Sequence, residues 1–496
     1  MNHLAEIAAS DIISAMRLES RLRTGLLTLI IAIIPSSWLA SAFPEQLSDL
    51  VLPLGPPLTH VINSLLIFAA LCSALLITRI ELDRRGVWPP GKAPSLGTTI
   101  PQMVDQLTKS LSIKAEVQPY GGPAEGEIES VILGRRNIVR VATSRLRESK
   151  SNPEAFRYIL AHELVHLAAG DPATDRRIIC AYSTGALFML LGFCSVLWRV
   201  GSVISTSAAF GSDAIFAGLK VIWLPLLTNT ASMGALAALL YLETRSAMRL
   251  REFHADAAAA ILTAPQPTVF SARDTARAGW VSRIADSLLS NHPEGGMRRL
   301  ALSDRSAAFR ADRSYFLLQG FFAATITEIL LQMLFVDASP GVSTLAERRA
   351  YLYESLNTFP HAILLVIGLT ALLGTVSQIL VFRRLRATIV ADGGAHKLSG
   401  LVLRVPVFIA TGAAIALACS QTLLWELSEH AWRPISWLQS DPDRAAVYGA
   451  SLLGTIIAII AILADNGRLS LTRTGTVLLS VLPVLCSLAV GYGFYG

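Results

Sequence analysis

Apolar residues in this chain run in long blocks instead of short alternating stretches. Blocks of roughly 20 residues lie at about 25–43, 58–78, 178–198, 221–242, 316–336, 361–382, 405–427, 446–464 and 474–495. About 20 apolar residues in a helix cross a hydrocarbon core about 30 Å thick. The pattern therefore predicts about nine transmembrane helices, the first interrupted by Pro35. That first block reads as a retained span, because its run is long and no small-x-small cleavage site follows it. Two polar stretches, 79–177 and 243–315, break the apolar pattern. A hairpin of spans separates them and returns the chain to the same side, so the two stretches can form one domain. The expected organisation is a tail with two spans (1–78), a first half-domain (79–177), a hairpin (178–242), a second half-domain (243–315) and five further spans (316–496). Residues 1–23 alternate apolar and polar positions, which suits an interfacial helix or a plain cytosolic tail.

Composition supports the membrane reading. Apolar residues make up 52% of the chain and charged ones only 16%, with a mean hydropathy of +0.51. So few polar groups cannot cover a soluble globule of this size, and neither disorder nor collagen has this composition. A net charge of +6 with pI near 9.2 could suggest nucleic acid. The distribution of charge argues otherwise: 36 of the 42 Lys and Arg fall on one side of the predicted spans. Clusters at span ends (Arg79/Arg84/Arg85, Arg176/Arg177, Arg383/Arg384/Arg386) lie on that same side. By the positive-inside rule this side is cytosolic, with the N-terminus inside and the C-terminus outside. No retention or lipidation signal is present, so a bacterial inner membrane is the expected location. Cys72, Cys180, Cys194, Cys419 and Cys486 lie in apolar surroundings without a CxxC pair, which predicts neither a disulfide scaffold nor a cysteine metal site.

The chemistry sits in residues 151–171, SNPEAFRYILAHELVHLAAGD. Asn152 is a good N-cap, Pro153 suits the first helical position, and Glu154 suits the positive helix end. Phe156, Ile159, Leu160, Leu164 and Leu167 recur at helical spacing. Gly170 followed by Asp171-Pro172 ends the helix. His162 and His166, at i and i+4, share one face and can reach one ion, with Glu163 beside them. This is the HExxH zinc pattern. Zinc asks for a third protein ligand and an open position. After the fourth predicted span, MRLREFHADAAAA places Glu252 and Asp256 at i and i+4 on a helix. One carboxylate could bind the ion and the other could orient a ligand histidine.

These motifs together resemble the HtpX-type membrane zinc metalloproteases, a family that includes the CAAX prenyl proteases. HELVHLAAGD resembles the family's HExxHxxxGD helix. Arg249, Glu252, Phe253, Ala255 and Asp256 match its second motif, and His292, Pro293, Arg298 and Leu302 its third. The resemblance covers about residues 25–310. Arg299 departs from it, standing where the family usually has Ile, and so do the five spans after residue 315. It implies a cytosolic α+β zincin-like domain on a mostly α membrane protein. It also implies one zinc ion per chain, held by His162, His166 and Glu252, with Asp256 and Asp171 behind the ligands.

The mechanism this implies uses Glu163 as proton acceptor while water attacks a peptide carbonyl. His254 and His292 are candidate donors to the carbonyl oxygen, and Arg249 is expected to brace Asp171 or Asp256. Residues 128–146 carry a hairpin signal around Gly134-Arg135-Arg136-Asn137. An exposed edge at Val139, Arg140 and Val141 is expected to take an extended peptide as an added strand. The predicted substrate is a membrane-associated protein or peptide, and the lipid bilayer is the other partner. Glu328 with Gln319 and Gln332, and Glu426, place polar groups inside predicted spans and suggest a substrate chamber, a sensor or an ion path. Two other readings compete with an endoprotease of quality control or maturation. One is a BlaR-type receptor protease cutting a cytosolic regulator; the other is an inactive transporter or scaffold.

Overall fold

A computed structural model describes most of residues 9–263 apart from 43–55, 121–127 and scattered single positions, and describes 316–324, 368–385, 399–418, 442–464 and 479–489 in whole or part. The fold is mostly helical with one small sheet. In chain order the elements are α1 (Ala9–Ala42), α2 (Pro56–Arg85), α3 (Thr99–Leu111), β1 (Glu116–Tyr120), β2 (Ile128–Leu133), β3 (Arg136–Ala142), α4 (Arg145–Ser151), α5 (Pro153–Ala169), α6 (Asp171–Ala208), α7 (Ser212–Thr263), α8 (Ser399–Ala418) and α9 (Pro442–Ala464). The chain divides into two compact units. The first holds Met1–Leu27, Leu71–Ala181 and Leu242–Arg310; the second holds Thr28–Ala70, Tyr182–Tyr241 and Ala311–Gly496.

In the first unit the strand order is β1-β3-β2, with β1 parallel and β2 antiparallel to β3. Gly134, at φ +59°, starts the two-residue turn joining β2 to β3. A glycine at this first turn position suits a type II′ hairpin, whose twist matches the strands. The turn is thus tighter than the four-residue turn expected, and Arg136 and Asn137 belong to the strand. Val139 and Val141 face a core built with Ile100, Val104 and Leu107 of α3 and Phe156, Leu160, Leu164 and Leu167 of α5. Arg140 lies on the opposite sheet face, donating to the Asp83 carbonyl at 2.8 Å and pairing with Glu129 at 3.3 Å. Both faces of β3 are covered from Ile138 to Ala142, which explains why that stretch, IVRVA, is apolar but for Arg140.

This topology corrects the expectation of an open edge at Val139, Arg140 and Val141. Those residues lie on the central strand, buried, with their main chain engaged on both sides. Only an outer strand can accept a further one. Among the described residues the outer strand nearest the HExxH helix is β2.

Residues 9–27 also differ from both readings of the N-terminal tail. They are the first part of a continuous helix, and Ile12, Ile13 and Met16 are buried against Val165, Ala168, Ala169, Ala255, Ala257 and Ala258. A helix lying on lipid would leave that face outside the protein.

Among the described residues two helical stretches are long and apolar enough to cross a membrane, Leu65–Arg85 and Asp171–Cys194. They overlap the second and third predicted spans, at about 58–78 and 178–198. Only 6% of the Leu65–Arg85 window is buried in protein. Leu66, Leu71, Leu75 and Ile77 face outward, an apolar surface that suits lipid and not water. α1 covers the first predicted span to residue 42, α7 and α9 run through the fourth and eighth, and the fifth, sixth, seventh and ninth are only partly described. In the second unit the Ser377 hydroxyl donates to Gln319 Oε1 at 3.1 Å, and Gln378 Nε2 donates to the Thr455 hydroxyl at 3.4 Å. A Cβ at Gly320 would collide with the Ile409 carbonyl and one at Gly412 with that of Leu317, so two helices there meet backbone to backbone. Glu328, Gln332 and Glu426 lie outside the described residues.

Candidate metal centre

α5 carries the HExxH residues, and its ends are set by local chemistry. Asn152 accepts a hydrogen bond from the Ala155 N–H at 3.1 Å, and Pro153 follows at the first helical position. At the other end Gly170 adopts φ +84° and returns its N–H to the His166 and Leu167 carbonyls. This left-handed cap turns the chain within one residue, so that α6 begins at Asp171. The turn brings Asp171 back against His166, five positions earlier. Glu252 and Asp256 project from α7 one turn apart.

Three donor side chains converge, Glu252 turning one oxygen to each histidine. His162 Nε2 lies 3.0 Å from His166 Nε2, 3.4 Å from Glu252 Oε2, and His166 Nε2 lies 3.3 Å from Glu252 Oε1. Zinc ligands at 2.0–2.1 Å in a tetrahedron stand about 3.3 Å apart. The observed triangle therefore has the size a zinc ion requires. Each histidine turns its other nitrogen to a carboxylate. His166 Nδ1 is 2.7 Å from Asp171 Oδ2, and His162 Nδ1 makes a close, poorly aligned contact of 2.9 Å with Asp256 Oδ1. The Tyr158 hydroxyl donates to the same Asp256 oxygen at 2.8 Å. With Nδ1 of each ring directed at a carboxylate, both Nε2 lone pairs face the centre, an arrangement that calls for a cation.

The electrostatics agree. Burial by itself would push the His162 pKa down; Asp256 and Glu252 outweigh it and raise it to about 9. His166 is likewise raised well above the usual imidazole range, with Asp171 and Glu252 overcoming its burial. Two imidazoles that hold protons this firmly sit in a strongly anionic cluster, the surroundings a divalent cation would neutralise. Glu163 is also raised, first because burial disfavours its charge, while the histidines and the Ser130 side chain oppose that effect. A carboxylate raised in this way accepts a proton more readily than a free one, as a general base must.

The other residues named from the sequence divide. Asp171 and Asp256 stand behind the two histidines. Arg249 is half-buried on α7; Arg251 approaches Asp171 at 3.9 Å and pairs closely with Asp175. His254 is corrected as a candidate donor. It is 1% exposed and lines a separate pocket with Met16, Ser20, Arg23 and Arg251, out of reach of a peptide. His292 lies outside the described residues. Tyr158, Ser130 and Arg251 were not anticipated. Tyr158 is one turn before His162 on the same helix face, and this spacing could have flagged it.

The cluster defines a metallopeptidase centre, and residues 133–306 match the family model described as peptidase family M48. Over that stretch, which spans both motif-bearing segments, the chain is similar to M48 peptidases, in keeping with the HtpX and CAAX-protease-like resemblance. Comparison with curated proteins and with solved structures finds no match.

Proposed function

We propose that the protein is a membrane-embedded zinc endopeptidase that hydrolyses peptide bonds of membrane or membrane-associated proteins at the cytosolic face, in quality control or maturation. The observation that carries this reading is the metal-sized triangle of His162, His166 and Glu252 with Glu163 beside it. These three residues would hold one zinc ion, which supplies Lewis-acid polarisation of a carbonyl and lowers the pKa of bound water to about 7. Glu163 accepts the proton of the attacking water and delivers it to the leaving amine. Asp171 and Asp256 keep the imidazoles neutral at Nε2 and correctly turned.

The side of β2 facing away from β3, which carries no further strand among the described residues, is the platform for substrate. In a two-residue hairpin the residues flanking the turn form a hydrogen-bonded pair, and the pairing then alternates. The main-chain groups of Ile128, Ser130 and Ile132 therefore point away from β3. Arg176, held by Asp83 at 3.0 Å, already donates to the Ile132 carbonyl at 2.5 Å. That leaves Ser130, next to Glu163, as the point where an extended peptide would pair by β-augmentation. Recognition through main chain favours tolerance of sequence. The asymmetry of basic residues supports nine spans with a cytosolic active site and an outside C-terminus, and a bacterial inner membrane fits that topology.

The test is cleavage of casein by detergent-purified protein with zinc, wild type beside Glu163→Gln. Wild type is expected to cut, and the variant to bind zinc yet lose about 10²–10⁴-fold in rate. Equal rates in both would refute the assignment of Glu163.

A further inference from the structure

The first helix lies outside the stretch that matches the peptidase family, yet it touches both helices of the metal centre. Its polar contacts are specific. The Arg17 guanidinium donates to the Ala168 carbonyl. Ala168 is in the last turn of α5, where carbonyls have no helical partner and the dipole favours a cation. The Ser20 hydroxyl donates to Asp171 Oδ1 at 3.4 Å, while the other oxygen of that carboxylate faces His166 Nδ1 at 2.7 Å. One turn later Arg23, 2% exposed, pairs with buried Glu243 at 2.5 Å and donates to Ser246 at 3.0 Å, both on α7. α7 is the helix that carries Glu252.

From this geometry we propose that Arg17 and Ser20 are positioning residues of the metal centre: they fix the end of α5 and the rotation of Asp171, and through Asp171 the direction of His166 Nε2. The proposal rests on the zinc reading above. A carboxylate held at one oxygen only can rotate about its Cβ–Cγ bond; held at both it presents a fixed acceptor to the imidazole. Arg23 serves a different purpose. It neutralises Glu243 and locks the first helix against α7, so that Ser20 meets Asp171 in one register. The N-terminal segment is then a working part of the peptidase unit and not a tail.

The experiment uses the full-length protein in detergent, loaded with zinc and challenged with a graded chelator. A parallel sample is loaded with cobalt, whose d–d absorption reports ligand geometry. Ser20→Ala and Arg17→Met are compared with Ser20→Thr, which restores the hydroxyl, and with Leu18→Ala, an exposed position on the same helix. Ser20→Ala and Arg17→Met are expected to weaken zinc retention roughly threefold to tenfold, less than the 10–100-fold of a direct histidine partner. Both should shift the cobalt spectrum. Ser20→Thr is expected within twofold of wild type, and Leu18→Ala unchanged. Wild-type retention and spectra in Ser20→Ala and Arg17→Met would overturn the proposal. So would a loss of thermal stability in the metal-free variants with unchanged zinc retention, since that marks a structural role only. Wild type that binds no zinc would overturn the metallopeptidase reading itself, and this proposal with it.

Discussion

Asp256→Asn is the most direct probe of how the centre is held together. Asp256 is fully buried, and one of its oxygens accepts from the Tyr158 hydroxyl at 2.8 Å and stands 2.9 Å from His162 Nδ1. Asparagine keeps the shape and one acceptor oxygen but loses the charge. A hydrogen bond to a charged partner contributes about 1.5–3 kcal/mol and a neutral one about 0.5–1.5 kcal/mol. The difference, roughly 1–1.5 kcal/mol, corresponds to about a tenfold loss of zinc affinity, the lower end of the range for such partners. Without the aspartate, burial becomes the dominant influence on His162, and its pKa in the metal-free protein should fall well below about 9. Zinc affinity by chelator competition and the His162 titration by NMR measure the two effects. Alanine is a poorer probe, because it strands two buried donors. Asp256→Asn with unchanged zinc affinity and an unchanged His162 pKa would refute the claim that Asp256 orients this ligand.

Further expectations follow from the same geometry. Gly170→Ala places a Cβ in open space but at φ +84°, so its cost is backbone strain alone, about 1–2 kcal/mol, read as a lowered unfolding temperature with zinc still bound. Zinc uptake should depend on pH in a definite direction. His162 in the metal-free fold is raised from 6.5 to about 9, so its protonation stabilises that fold fully below pH 6.5, and the contribution is lost as pH rises through 9. Zinc needs the neutral ring, so apparent affinity should climb as pH rises toward about 9, with protons released on binding; calorimetry in two buffers of different ionisation enthalpy counts them. Asn152→Ala removes the cap on the Ala155 N–H and should cost about 1 kcal/mol in thermal stability, without altering metal content.

The N-cap, the starting proline and the terminal glycine of α5 follow local rules, so its ends and the shared face of His162 and His166 were open to a reader of the sequence. The same holds for Glu252 and Asp256, one turn apart on α7. The two apolar stretches ending near Arg85 and beginning near Asp171 were legible as well, because burial in lipid needs a continuous run of about 20 residues. Strand order is a different matter. The alternation within β2 and β3 announces a hairpin, but the parallel pairing of β1 with β3 joins residues some 20 positions apart, and no local pattern encodes it. That pairing closes the edge at Val139, Arg140 and Val141 and leaves β2 outermost. Side-chain partners across the fold were equally hidden. Arg251 approaches Asp171, and His254 lines a pocket of its own, because the rotation of α7 is set by packing of Ala255, Ala257 and Ala258 on α1 and α5. Local spacing determined which residues can share a helix face and bear the metal chemistry. Tertiary packing alone decided which strand is open, which carboxylate turns each histidine, and that the first helix stands against them, since these depend on contacts between segments far apart in the chain.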